Sequence, residues 1–302
     1  MKEWIEFTVA WLLLKFIGIL PRSIARGLAA VTARILLSLV PGLRQVALFN
    51  LQLAFPEWTA AQCQTTLHSM AHYLGWQAVE FARFPRYSRS DIGEILEIEG
   101  HENFLEAQRR GKGVLILTGH IGAWEVSSFA HAVYGFPMHY LARPIDNARL
   151  DAFVNRYRGL SGNQPIYKNE SARAVLKVLN AGGIVGILAD QNTLPEEGAF
   201  VDFFGKPACT TTGLARLALH TGAPVVPGYA YWDAAARKYK LRFDPAVELV
   251  ETGNQEKDIF ENTQRFAKII EAIIRKYPDQ WVWVHARWKT RPKGEPPLYD
   301  FL

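Results

Sequence analysis

Only two cysteines, Cys63 and Cys209, occur in the chain, far apart and outside any C-x-x-C or zinc-like spacing. Their scarcity excludes a disulfide framework and a structural zinc site, and it fits a reducing compartment. Several catalytic signatures are missing as well: no G-x-S-x-G elbow, no P-loop, no G-x-G-x-x-G opening a helix and no H-E-x-x-H. Serine-hydrolase, nucleotide-hydrolase, dinucleotide-oxidoreductase and zinc-peptidase readings therefore lose weight. Internal repeats and low-complexity tracts are also absent, and linker-like composition is confined to residues 85–91 and 292–297.

What is present is a chain of 302 residues, 49 % hydrophobic, enough to bury the core of one large α/β domain or two smaller ones. The net charge of +5 is unevenly placed: Lys2, Lys15, Arg22, Arg26, Arg34 and Arg44 face only Glu3 and Glu6 in the first 56 residues. An anionic surface is the partner this asymmetry suggests. Residues 4–20, WIEFTVAWLLLKFIGIL, form about the shortest stretch able to span a bilayer, and they include Glu6 and Lys15. The segment is expected to be a tilted or interfacial membrane helix, with a buried core helix as the alternative. Pro21 and Arg22 stand where a signal cleavage site belongs, and a second apolar segment follows at once, so a cleaved signal fits poorly. If residues 4–20 do span, the arginines after them put the remaining chain on the cytoplasmic side.

Residues 21–84 read as helices broken at Pro41-Gly42 and at Pro56, with Thr59 placed to cap a long amphipathic run. From Ile95 onward the pattern changes. Short apolar runs such as GVLILTG, MHYLAR, GIVGILAD and APVVPGYAYW alternate with helical stretches. The fold class expected is α/β, a mixed, mostly parallel sheet flanked by helices, with an N-terminal helical membrane-anchoring extension. The division falls into residues 1–84, the helical membrane-associated region, and residues 85–302, the catalytic domain.

The sharpest chemical signal is T-G-H-I-G-A-W-E, residues 118–125, directly after an apolar strand and at the start of a helix. Sites in open α/β sheets are built at the C-terminal ends of strands. His120 falls in the strand-to-helix turn, Gly119 and Gly122 leave room for a substrate near the backbone, and Glu125 lies where its carboxylate can reach back to the imidazole. A hydroxyl attacks an acyl carbonyl poorly unless a base takes its proton, and a neutral histidine held in one tautomer by a carboxylate is such a base. His120 is thus the expected base and Glu125 its orienter. The plainer alternative is a histidine at a helix start beside a chance glutamate.

Several ordered blocks accompany this motif: Y-L-A-R-P at 140–144, Arg158 after the next helix, A-D-Q at 189–191, F-F-G at 203–205, T-T-G-L-A-R-L-A at 211–218, P-V-V-P at 224–227 and W-V-W-V-H-A-R-W-K-T-R-P at 281–292. Together they resemble the bacterial lipid A late acyltransferases, within the glycerolipid acyltransferase superfamily, over nearly the whole chain. The resemblance implies an H-x4-D/E catalytic pair at His120 and Glu125, with Arg143, Arg158, Asp190 and Gln191 holding substrate. It also implies an acyl-carrier-protein or CoA thioester as donor, a glycolipid acceptor such as a lipid A precursor, no cofactor or metal, and work at the cytoplasmic face of the inner membrane. Read without the resemblance, Arg158 is equally a surface helix residue and Asp190 equally a helix or turn cap. A hydrolase using the same pair, a lysophospholipid acyltransferase and a non-enzymatic lipid-binding protein remain open.

Weaker signals divide similarly. Trp281, Trp283 and Trp288 interleave with His285, Arg287, Lys289 and Arg291, which suits a bilayer interface or, alternatively, a core strand with a basic tail. No nucleic-acid reader motif accompanies them. His68 and His72 lie four apart but have no third ligand in suitable spacing, so they read as structural. Phe203 and Phe204 fit an acyl channel or simple packing, and Thr211 and Thr212 sit where the next helix needs a cap.

Overall fold

The structure, a computed structural model, describes residues 1–167 and 171–301. Prolines punctuate the helical preface. Helix α1 (Lys2–Ile19) stops before Pro21, because Leu20 is driven into the extended conformation ahead of a proline. Pro21 then leads into α2 (Arg22–Leu39), and Pro41 opens α3 (Pro41–Ala54), where its missing N–H costs nothing. Helix α4 (Ala60–Arg83) begins at Thr59, as expected, with a capping box completed by Gln62. The sequence 85–91, linker-like in composition, contains instead a short turn and the start of α5 (Arg89–Ile95), which Ser88 caps.

The chain then alternates strands and helices. It runs through β1 (Leu96–Glu99), α6 (His101–Arg109), β2 (Val114–Thr118), α7 (Trp124–Val133), β3 (Met138–Ala142), α8 (Ala148–Arg158), β4 (Gln164–Tyr167), α9 (Ser171–Asn180) and β5 (Ile184–Leu188). A hairpin of β6 (Gly198–Phe203) and β7 (Lys206–Thr211) follows, and α10 (Gly213–Thr221), β8 (Val225–Asp233), β9 (Lys238–Phe243) and α11 (Gln255–Lys276) complete the fold. Seven strands form one sheet in the order β1-β9-β8-β2-β5-β3-β4. All neighbours are parallel except β8 and β9, so the sheet is mixed and mostly parallel, as expected.

The apolar runs of the central strands reflect burial on both faces. Along β2 the side chains alternate: Leu115 and Leu117 join one core with α9, α10 and α11, while Val114 and Ile116 join the other with α7. Leu51 of α3 and Leu67 and Met70 of α4 belong to the first of these cores, so the later helices of the preface pack onto the sheet.

Burial decides the C-terminal signals. Trp281, Trp283 and Trp288 are 0–1 % exposed, and Arg287 is fully buried with its guanidinium on the carbonyls of Gln191 and Cys209. Of the two readings of these tryptophans, bilayer interface or core, their burial favours the core. Phe203 and Phe204 pack against Trp281, Trp283 and Trp288, which favours packing over an acyl channel. Among the described residues no single helix is long and apolar enough to cross a membrane; α2 and α3 together pass by length and composition but are bent by 95°.

Candidate active site

The site forms where β2 and β5 end side by side. Thr118 pairs with Leu188 in register, and the Ala189 N–H donates to the Thr118 carbonyl at 3.0 Å, which brings Asp190 against the turn that carries His120. The glycines of that turn serve the fold rather than the substrate. A Cβ at Gly119 would lie 3.0 Å from the Asp190 carboxyl carbon, and one at Gly122, where φ is +56°, would lie 2.0 Å from the Ala230 carbonyl oxygen.

Asp190 is 1 % exposed and accepts three hydrogen bonds. The His120 backbone N–H donates to Oδ2 at 2.7 Å, the His120 Nδ1 lies 3.0 Å from Oδ1, and the Trp281 indole N–H donates to Oδ2 at 2.8 Å. Burial alone would push the Asp190 carboxyl up. The charge and hydrogen bond of His120, with the Trp281 and backbone donors, outweigh it and hold the group well below the usual carboxylate range. An ionised carboxylate only accepts, so Nδ1 must carry the proton and Nε2 is the basic nitrogen. Burial likewise lowers the His120 pKa, but the charge and hydrogen bond of Asp190 and the charge of Glu125 win, and the net shift is upward.

Two expectations change here. The carboxylate hydrogen-bonded to the imidazole is Asp190 rather than Glu125, because the sheet order sets β5 next to β2 while Glu125, in the first turn of α7, reaches Arg158. Asp190, expected to hold substrate, is buried with both carboxylate oxygens engaged by His120 and Trp281, and it is not among the residues that line the cavity. Glu125 pairs instead with Arg158 at the end of α8 in a two-pronged ion pair, Nε to Oε2 at 2.9 Å and Nη2 to Oε1. The guanidinium also lies 5.3 Å from the Tyr140 ring centroid.

His120, Glu125 and Arg158 line a cavity of about 260 Å³, with Tyr140, Ser127 and Ser128 on its polar wall and Arg143 and Ile145 also lining it. Ile116, Met138, Gly186, Leu188 and Gly228 add an apolar lining contributed by the strands. Gln191 does not line it; its backbone carbonyl receives the Arg287 guanidinium at 3.3 Å. Sequence reasoning missed Trp281 as the partner of Asp190 and Tyr140 as a wall residue. The strand-terminal carboxylate in GIVGILAD was visible, but nothing local links it to His120. Thr212 occupies the N-cap position of α10 without a side-chain cap bond, the Thr211 hydroxyl accepts the Gly213 N–H at 3.3 Å, and His68 sits 2.8 Å from Gln64. Among the described residues no cluster of three or more metal-ligating side chains occurs.

A family model, bacterial lipid A biosynthesis acyltransferase, matches residues 1–290. The chain belongs to that family. This acyltransferase is 28 % identical over 257 residues to the Escherichia coli lipid A biosynthesis palmitoleoyltransferase, covering 84 % of this chain and 81 % of the relative. It is 25 % identical over 300 residues to the lipid A biosynthesis lauroyltransferase of the same organism, covering 98 % and 94 %. A Haemophilus influenzae lipid A biosynthesis acyltransferase is 26 % identical over 251 residues, 83 % of this chain and 77 % of the relative. An acyltransferase needs a base, a place for the developing oxyanion and an apolar berth, and the cavity offers one candidate of each kind: the imidazole, the guanidinium and the strand-lined apolar lining.

Proposed function

We propose that this acyltransferase moves a fatty acyl chain from an acyl-carrier-protein or CoA thioester to a hydroxyl of a lipid A precursor, at the cytoplasmic face of the inner membrane. The observation that carries the reading is the imidazole of His120, held at Nδ1 by a buried carboxylate and exposed to a cavity that is charged in one part and apolar in another.

In the reaction, Nε2 of His120 takes the proton of the acceptor hydroxyl as its oxygen attacks the thioester carbonyl. Asp190 stabilises the imidazolium that results. The carbonyl oxygen gains negative charge, and Arg158, which lines the cavity and is fixed by Glu125, is suited to offset it. Collapse of the tetrahedral intermediate expels the thiolate, which regains a proton from His120. Arg143, exposed and lining the cavity, is suited to a phosphate of the acceptor or of the carrier. The basic N-terminal helices with their exposed apolar side chains support attachment to an anionic bilayer.

The test supplies purified protein with labelled acyl-carrier-protein and acyl-CoA thioesters and with lipid A precursor, other glycolipids and lysophospholipids as acceptors. Transfer to the lipid A precursor that disappears in His120→Ala is the expected result. Release of free fatty acid with every acceptor would replace this reading by a hydrolase, and transfer to a lysophospholipid alone would reassign the acceptor.

A further inference from the structure

Helix α1 is open to solvent on one side and tied to α8 and its cap on another. Trp4, Ile5, Val9, Leu12, Leu13 and Phe16 are each 51–58 % exposed, an outer surface that water does not favour. On its inner side α1 approaches α4 closely at Gly18, where a Cβ would come within 2.9 Å of the Ala82 carbonyl oxygen. Its flank is tied to α8. The buried Asn147 donates through Nδ2 to the Glu3 carbonyl at 2.9 Å and to the Glu6 carboxylate at 3.0 Å. Beside it the Arg149 guanidinium lies 3.7 Å from the Trp4 ring centroid, and Phe7 meets Phe153 edge to face.

The same Asn147 caps α8, its Oδ1 accepting the N–H groups of Arg149 and Leu150 at 3.1 and 3.3 Å. Two and four residues earlier stand Ile145 and Arg143, which line the cavity, and at the far end of α8 stands Arg158. One side chain therefore joins the apolar helix to the segment that lines the cavity. The basic excess of the first 56 residues favours an anionic lipid surface over a second, equally basic copy of this region as the cover for α1.

We propose that α1 is a gauge as well as an anchor: its outer face enters a lipid bilayer and, through Asn147, holds the rim at Arg143 and Ile145 at headgroup level. The reading of the rim as an acceptor entrance rests on the function proposed above; the placement of the rim against lipid does not. A lipid acceptor then enters the cavity without leaving the interface.

Both native cysteines are buried, so a thiol probe can be attached selectively to Leu12→Cys or to Ile145→Cys. Each labelled protein is mixed with phosphatidylethanolamine–phosphatidylglycerol vesicles carrying a headgroup nitroxide quencher. Both probes are expected to be quenched. Adding Asn147→Asp, which keeps the capping oxygen but sets a carboxylate against Glu6, should leave the Leu12 probe quenched and at least halve quenching of the rim probe. A bright rim probe beside a quenched α1 probe in the parent protein overturns the proposal and makes α1 a simple tether. Two bright probes with a sedimenting dimer overturn it in favour of a second copy. In a parallel turnover assay, Asn147→Asp should fall about tenfold on vesicle-embedded acceptor and hold on micelle-dispersed acceptor. Equal losses in both would mean general damage to α8 and count against the gauge. Quenching needs no turnover, so failure of the acyl-transfer reading is distinguishable from failure of this one.

Discussion

Asp190 grips His120 at two points, taking the backbone N–H on Oδ2 at 2.7 Å and facing Nδ1 with Oδ1 at 3.0 Å. The double contact fixes both the position of the turn and the tautomer of the ring. The charge and hydrogen bond of His120 keep the Asp190 carboxylate ionised against burial, and Trp281 adds a third donor in the same direction.

Asp190→Asn should therefore lower kcat by about 10²–10⁴-fold with a small change in KM, since the substituted side chain no longer demands a proton on Nδ1. Steady-state kinetics with a saturating acceptor check this. A loss confined to KM would make Asp190 a binding residue after all.

The pH dependence has a definite sign. In the proposed mechanism His120 serves as base only when Nε2 is unprotonated, so kcat/KM should rise with pH through the imidazole pKa. Burial lowers that pKa, and Asp190 and Glu125 raise it beyond the ordinary 6.5, so the acid limb should centre above 6.5. Removing the Asp190 charge should move the midpoint down, toward the value burial alone dictates. An unchanged midpoint in Asp190→Asn would show that another group titrates.

Glu125 and Arg158 should behave as one unit. Glu125→Gln leaves a part-buried guanidinium without its countercharge, and Arg158→Lys loses the two-pronged geometry that a lysine cannot reproduce. Each is expected to cost roughly 10- to 100-fold in kcat, and the double variant about as much as either single one. Multiplicative losses in the double variant would mean that the two residues act separately.

How far the sequence carried these conclusions differs by element. The alternation of apolar strands with helices was legible, as were the strand before His120 and the cap at Thr59, because they follow from local periodicity and side-chain chemistry. The partner of His120 was not. Glu125 is five residues away and Asp190 seventy, yet β5 lies against β2 in the sheet, and strand order is set by long-range packing that no local pattern records. The aromatic C-terminal segment stayed ambiguous for a related reason: Trp281 and Arg287 have interface-like composition, but the indole N–H reaches Asp190 and the terminal guanidinium nitrogens reach Cys209 and Thr210 inside the core.

The turn glycines separate folding from catalysis. Gly122→Ala places a side chain at φ +56° and into the Ala230 carbonyl, so it should destabilise by about 1–3 kcal/mol from backbone strain alone, and more with the collision. At Gly119 the three atoms nearest an added Cβ all belong to the Asp190 side chain, 3.0–3.1 Å away, so Gly119→Ala requires a shift of a few tenths of an ångström there. It should fold with a nearly unchanged melting temperature and lose about tenfold or more in kcat, because the carboxylate no longer meets His120 squarely. Thermal melts and kinetics on both variants check the contrast.

Gly186 offers a way to change what the cavity accepts. It lies in β5 beside Met138, whose sulfur is 3.3 Å from the point a Cβ would occupy, and both residues line the cavity at a distance in sequence from the catalytic turn. Gly186→Val suits a strand and would fill apolar space without touching His120, Asp190, Glu125 or Arg158. If the acyl chain occupies that lining, the variant should prefer donors shorter by one or more methylenes. Each methylene it can no longer bury costs about 0.8 kcal/mol, roughly a fourfold loss in kcat/KM on the longer donor. Competition between donors of graded length reads the shift directly, and an unaltered length preference with reduced overall activity would place the acyl chain elsewhere.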